Sequence, residues 1–150
     1  MRWPGLTVLI LVAFAVLASA QSAKVIKVLP HFLDSQGRSN KNPSLFDRDA
    51  YQVELRGSPS KRSALRFDVQ WKANFFDYEK LSLRIEAKGM KGNQPTTNLL
   101  EQPLKAGSFS QWTALTLSGE KYKDFGELIS WHATLRNGTN TVAEQKSFLW

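Results

Sequence analysis

Two histidines, His31 and His132, are the side chains of this sequence best suited to acid–base chemistry near neutral pH. His31 stands in a proline-interrupted apolar run with Asp34 close behind it, and His132 alternates with Ser130 and Thr134. Alternation would put Ser130 and His132 on one face of a strand. A serine is activated only when a third group orients its base, and that stretch offers no carboxylate to do so. Both histidines therefore read as structural or solvated, and no catalytic residue is assigned. A carboxylate pair for glycoside hydrolysis stays open, because any two of the 13 acids could meet in the fold.

Metal and phosphate chemistry fare no better. With no cysteine, two histidines and no acidic cluster, a zinc site has no ligands to draw on. Asp47-Arg48-Asp49 lacks the glycine and the distal glutamate of a calcium loop and is better explained as helix capping. Gly89-Met90-Lys91-Gly92 lacks the Gly-Lys-Ser/Thr ending and the following helix of a phosphate loop. No metal and no cofactor is expected, and the chain reads as a protein that is not an enzyme. Asn137-Gly138-Thr139 matches a glycosylation sequon, but a hairpin turn accounts for it fully.

The tryptophans divide by parity. Trp71 and Trp131 fall with the apolar residues of their runs and belong to the core. Trp112 falls on the opposite parity from Thr113, Leu115 and Leu117, a set to which Phe109 is also assigned. It is the one candidate surface contact, either a stacking platform for a sugar ring or an anchor for a protein, unless the 44–57 segment covers it.

Those residues need elements to hold them. Met1 to Ala20 has the plan of a secretory leader: Arg2 as a short positive region, Leu6 to Leu17 as an apolar one, and Ala18-Ser19-Ala20 as a small-x-small cleavage site before Gln21. The apolar stretch is too short for a bilayer-spanning helix, which needs about 20 residues, so no membrane span is expected after the leader is removed. An exported chain without cysteine must hold itself together by burial alone, which suits a periplasmic or extracellular bacterial setting. The leader carries one of the 20 basic residues and none of the acids, so residues 21–150 form one domain with a net charge of +6. That excess favours anionic partners such as cell-surface polymers or acidic proteins. The basic residues are scattered in ones and twos, and no nucleic-acid partner is expected.

Seven alternating runs, beginning near residues 24, 63, 80, 97, 109, 127 and 141, predict strands. In the first, Ile26, Val28 and Phe32 alternate with Lys27, Leu29 and His31, and Pro30 confines the strand to a sheet edge or a bulge. Leu65, Phe67, Val69 and Trp71 mark the second, and Leu81, Leu83, Ile85 and Ala87 the third. Gly89 to Pro95 reads as a turn, and Thr96 to Leu104 as a weaker edge strand. Between the first two strands, Ser44 and Asp47 resemble a capping box, while Gly57 and Pro59 supply stop signals. A helix over 44–57 with Phe46, Ala50 and Val53 on its buried side would cross between sheets, although Tyr51, Val53 and Leu55 also fit a strand. Gly119 to Gly126 makes a corner with Tyr122 and Phe125 beneath it.

The last two strands form a hairpin around Arg136-Asn137-Gly138-Thr139-Asn140. Ile129, Trp131, Ala133 and Leu135 share its buried face, and a four-residue turn sets Leu135 opposite Val142 and Ile129 opposite Phe148. Phe148-Leu149-Trp150 should then be held in the core. Seven short strands in a domain of this size predict an all-β, seven-stranded antiparallel β-sandwich of immunoglobulin-like or fibronectin-III-like type. An open barrel is the alternative.

Three phrases, Lys27-Val28-Leu29-Pro30-His31-Phe32-Leu33, Arg66-Phe67-Asp68-Val69-Gln70-Trp71-Lys72 and Glu144-Gln145-Lys146-Ser147-Phe148-Leu149-Trp150, make nearly the whole chain after the leader similar to a group of exported bacterial proteins of unknown function. The resemblance implies export and brings no site residues with it. The expected function is thus a non-catalytic protein-interaction module of the cell envelope or periplasm. The alternative is a carbohydrate-binding sandwich for a surface polysaccharide, with Trp112 and a second aromatic, Tyr78 or Trp150, forming a platform.

Overall fold

A computed structural model of the chain describes residues 22–74, 76, 78–105 and 109–150. The leader at 1–20 and its cleavage point between Ala20 and Gln21 lie outside the described residues, as does the side chain of Tyr78. In chain order the elements are β1 (Ser22–Asp34), α1 (Leu45–Gly57), β2 (Arg62–Asn74), β3 (Leu81–Lys91), β4 (Gln94–Pro103), β5 (Gln111–Ser118), α2 (Gly119–Phe125), β6 (Glu127–Asn137) and β7 (Asn140–Lys146). All strand pairs are antiparallel. They form a three-stranded sheet in the order β1-β2-β5 and a four-stranded sheet in the order β4-β3-β6-β7.

Strict alternation gives β2 and β3, both inner strands of their sheets, one buried face and one outward face. In β2, Leu65, Phe67, Val69, Trp71 and Ala73 are buried while Arg66, Asp68, Gln70 and Lys72 face outward. In β3, Leu81, Leu83, Ile85 and Ala87 do the same against Ser82, Arg84, Glu86 and Lys88. The two apolar faces meet in one core, to which β5 adds Leu115 and Leu117 and β6 adds Ala133 and Leu135. Each large buried side chain contributes roughly 1.5 to 3 kcal/mol of transfer free energy. The Trp71 indole also satisfies its N–H, which donates to Thr113 Oγ1 at 2.9 Å.

Several expectations fail at irregularities that period-2 reasoning does not see. The register slips between Val25 and Lys27, so Ile26 bulges outward and Val25 joins Val28 in the core. A second slip between Lys88 and Gly89 leaves Ile129 unpaired and exposed. A third sits at Val142, so Leu135 pairs with Ala143 and not with Val142, while Arg136 pairs with Thr141. The hairpin closes tightly on Gly138-Thr139, with Asn137 paired to Asn140 and Gly138 at φ +62°. Phe109 lies before β5 begins and is exposed, not inward. β7 ends at Lys146, and Phe148 is wholly exposed, so no core place beside Ile129 exists for it.

The helix over 44–57 forms as the capping signal indicates, with Ser44 Oγ accepting from the Asp47 N–H. It does not cross between sheets, because β1 and β2 are neighbours in one sheet. Its task is to cover the open edge of β1. The Gln52 side-chain amide accepts from the Phe32 N–H at 2.8 Å and donates to the Phe32 carbonyl at 3.0 Å, as a paired strand would. That contact turns Tyr51, Gln52 and Leu55 inward and points the expected apolar side, Phe46 and Val53, to solvent. The corner at 119–125 is a short helix with Phe125 fully buried under it.

Candidate functional site

Each histidine has found a carboxylate that is remote in sequence. His31 Nδ1 lies 2.8 Å from Asp68 Oδ2, across the β1–β2 pairing that sets His31 opposite Arg66. Asp68 also accepts from Arg66 Nε at 3.1 Å and Nη2 at 3.0 Å, and Arg66 Nη2 reaches Ser39 Oγ. Burial would raise the Asp68 pKa, but the His31 and Arg66 hydrogen bonds and charges hold it below the ordinary carboxylate range. Asp34, the acid near His31 in sequence, serves elsewhere. It accepts from the Gln36 and Arg38 N–H groups, the Arg38 guanidinium and the Tyr51 hydroxyl, which together overcome its burial and depress its pKa strongly.

His31 lines a cavity of about 400 Å³ between α1 and the outer face of the three-stranded sheet, with Leu29, Arg48, Gln52, Val53 and Arg56. An imidazole whose Nδ1–H donates to a carboxylate keeps its Nε2 for another partner. The cavity therefore combines an oriented histidine with two guanidinium groups, one of which, Arg48, is paired with Asp49 at 3.1 Å.

The same outer face continues away from α1 in rows set by the register. Lys27, Gln70 and Trp112 form one row, and Lys24 stands directly opposite Lys72 in the next. Trp112 is about half exposed on β5, at the sheet edge farthest from β1, so α1 does not cover it. Gln70 Nε2 donates to Ser110 Oγ beside it, and Phe109 is also exposed. Lys24 and Lys72 border a shallow cavity of about 320 Å³. No ion pair reaches Lys24, Lys27 or Lys72 among the described residues.

His132 lies on the other side of the sandwich, where Glu144 Oε2 meets its Nε2 at 2.6 Å. Trp150 packs on the imidazole with ring centroids 5.1 Å apart, and Lys88 Nζ sits 3.8 Å from the centre of the indole. Ser147 fixes that segment: its N–H donates to the Trp131 carbonyl and its hydroxyl accepts from the Trp131 N–H. Ser130 is buried on this face. Trp112 and Trp150 thus belong to opposite faces and cannot form one flat pair.

A third surface is α1 itself. Leu45, Phe46 and Val53 are all more than 60% exposed, and with Ala50 they make an apolar stripe along the outward side of the helix. Helical spacing made that stripe legible in the sequence, though with the wrong side facing the core. The carboxylate partners of the two histidines had no local signal, since Asp68 and Glu144 arrive from other strands. Among the described residues no group of three or more histidines or acids could hold a metal ion, and no helix is long and apolar enough to cross a membrane. Neither a family model, nor a curated protein, nor a solved structure matches the chain.

Proposed function

We propose that this chain is a non-catalytic interaction module that works outside the cytoplasm, in the cell envelope or periplasm, and holds a protein partner through α1. The observation that carries the reading is the apolar stripe of Leu45, Phe46, Ala50 and Val53 left open to water on a helix that is otherwise firmly attached. Contiguous apolar side chains on a surface cost solubility, and their common use is to enter a groove on a partner. The export half of the reading is supported by the leader pattern of residues 1–20 and by a core built without cysteine. The strand order β1-β2-β5 against β4-β3-β6-β7 supports an immunoglobulin-like reading of the sandwich.

The test is site-specific photo-crosslinking in the native host. A crosslinking residue at Phe46 or Val53 should give a discrete protein adduct, and one at the exposed Thr97 on β4 should not. Equal labelling at all three positions, or none at Phe46 and Val53, would overturn the reading.

A further inference from the structure

A second binding surface, of different chemistry, is built on the outer face of the three-stranded sheet. We infer that this face binds an acidic polysaccharide, with Lys24, Lys27 and Lys72 pairing the carboxylates of the polymer, Gln70 bonding its hydroxyls and Trp112 stacking on a sugar ring. The proposal is independent of α1 and goes beyond the protein-partner reading.

The first support is a local cost. Lys24 is directly opposite Lys72 in the β1–β2 register, and like charges facing each other across strands are destabilising. No carboxylate offsets them among the described residues. The second is placement. Lys27, one row away, is in line with Gln70 and with Trp112, so three cations, an amide and an exposed indole share one outer face, with the bulged Ile26 between Lys24 and Lys27. Farther along the same face Asp68 is held by His31 and Arg66, and beyond them lies the cavity bordered by Arg48 and Arg56. At about 3.3 Å per residue, the path from Lys24 to His31 is roughly 20 Å, enough for several sugar rings.

The residue types choose among polyanions. Phosphate is best met by the bidentate fork of arginine, whereas the open cations beside Trp112 are all lysines, which act as point charges. Binding of single-stranded nucleic acid without sequence preference draws on successive aromatic platforms, and this face has one on a strand. A single ring beside an amide that both donates and accepts suits vicinal hydroxyls of a sugar. Ala114, outward on β5 next to Trp112, leaves the ring edge open.

The experiment is affinity electrophoresis and calorimetry of the full chain with polygalacturonate, its methyl-esterified neutral form, oligo(dT) and phosphatidylglycerol vesicles. Polygalacturonate should be bound and its neutral ester not. Trp112→Ala should weaken binding about tenfold, a loss typical of one stacked ring, and Trp112→Phe should restore most of it. Lys27→Gln with Lys72→Gln should weaken it at least about tenfold and lower the salt slope by about two. Phe46→Ser on α1 and Lys88→Gln on the opposite face should change nothing, which separates failure of this proposal from failure of the α1 reading. Denaturation midpoints of all variants establish that they fold. No binding to polygalacturonate, binding indifferent to Trp112→Ala, an equal loss from Lys88→Gln, or tighter binding to oligo(dT) or to the vesicles would each overturn the proposal.

Discussion

The two outer faces of the sandwich carry similar residue types and treat them in opposite ways. On the four-stranded sheet, charges are answered across strands: Arg84 meets Glu101 at 3.2 Å, His132 meets Glu144 at 2.6 Å, and Lys88 lies over the Trp150 ring. Ser147 ties the residues around Trp150 down onto that face. On the three-stranded sheet one end is as closely knit, with His31, Asp68, Arg66 and Ser39 in a chain of hydrogen bonds, while at the other end no ion pair among the described residues reaches Lys24, Lys27 or Lys72 beside an open Trp112. Surface ion pairs stabilise little, so pairing on the first face is a cheap default. Its absence on the second, among the described residues of the same domain, is the basis of the proposed binding surface.

The comparison can be broken most severely at Asp68. Asp68→Asn removes the negative charge shared by His31 and Arg66, leaving an amide with one accepting oxygen, and should cost about 2 to 3 kcal/mol in chemical denaturation, because it strands partly buried charge. Glu144→Gln, the matching change on the other face, should cost under about 1 kcal/mol, since Glu144 is half exposed. Equal costs would dissolve the distinction between a built network and a surface pair.

Acid should act on the three-stranded sheet's network as well. Asp68 and Asp34 are both depressed in the folded state, so their contribution to stability is full above the ordinary carboxylate range and is lost as pH falls through it toward their folded-state values. The midpoint should therefore drop between about pH 5 and pH 2, and Asp68→Asn should flatten part of that drop. A profile unchanged by Asp68→Asn would show that the network does not depress the carboxyl.

Removing Phe148 to Trp150 should have a smaller effect. Phe148 is wholly exposed, and only Trp150 covers the four-stranded face, so the truncation should lower stability by about 1 kcal/mol, the worth of an aromatic contact at a surface. A loss near 4 kcal/mol would restore a core role for these residues. The smallest expected effect has the opposite sign. Lys72→Glu turns the Lys24–Lys72 repulsion into a cross-strand ion pair and should raise stability by about 0.5 kcal/mol. The same substitution should weaken binding of the acidic polymer, and a midpoint that falls would mean the two ammonium groups do not oppose each other.

Much of this architecture is written in local pattern. Alternation alone places Phe67, Val69 and Trp71 inside and Trp112 outside, because successive side chains of a strand must point to opposite faces. Ser44 and Asp47 start the helix where the capping signal stands, because a hydroxyl can satisfy an N–H three residues on. What alternation cannot register is a bulge, where one extra residue reverses parity: Ile26 and Ile129 are apolar residues in apolar runs, and both face water. Amphipathic spacing likewise finds the stripe on α1 but not its direction, which is set by Gln52 reaching the open backbone of β1. The candidate site is the least local feature of all. Scattered along the chain, Lys24, Lys27, Lys72 and Trp112 look like ordinary surface residues, and only the pairing of β1 with β2 and of β2 with β5 gathers them, since charge and stacking act through space and the register decides who is near.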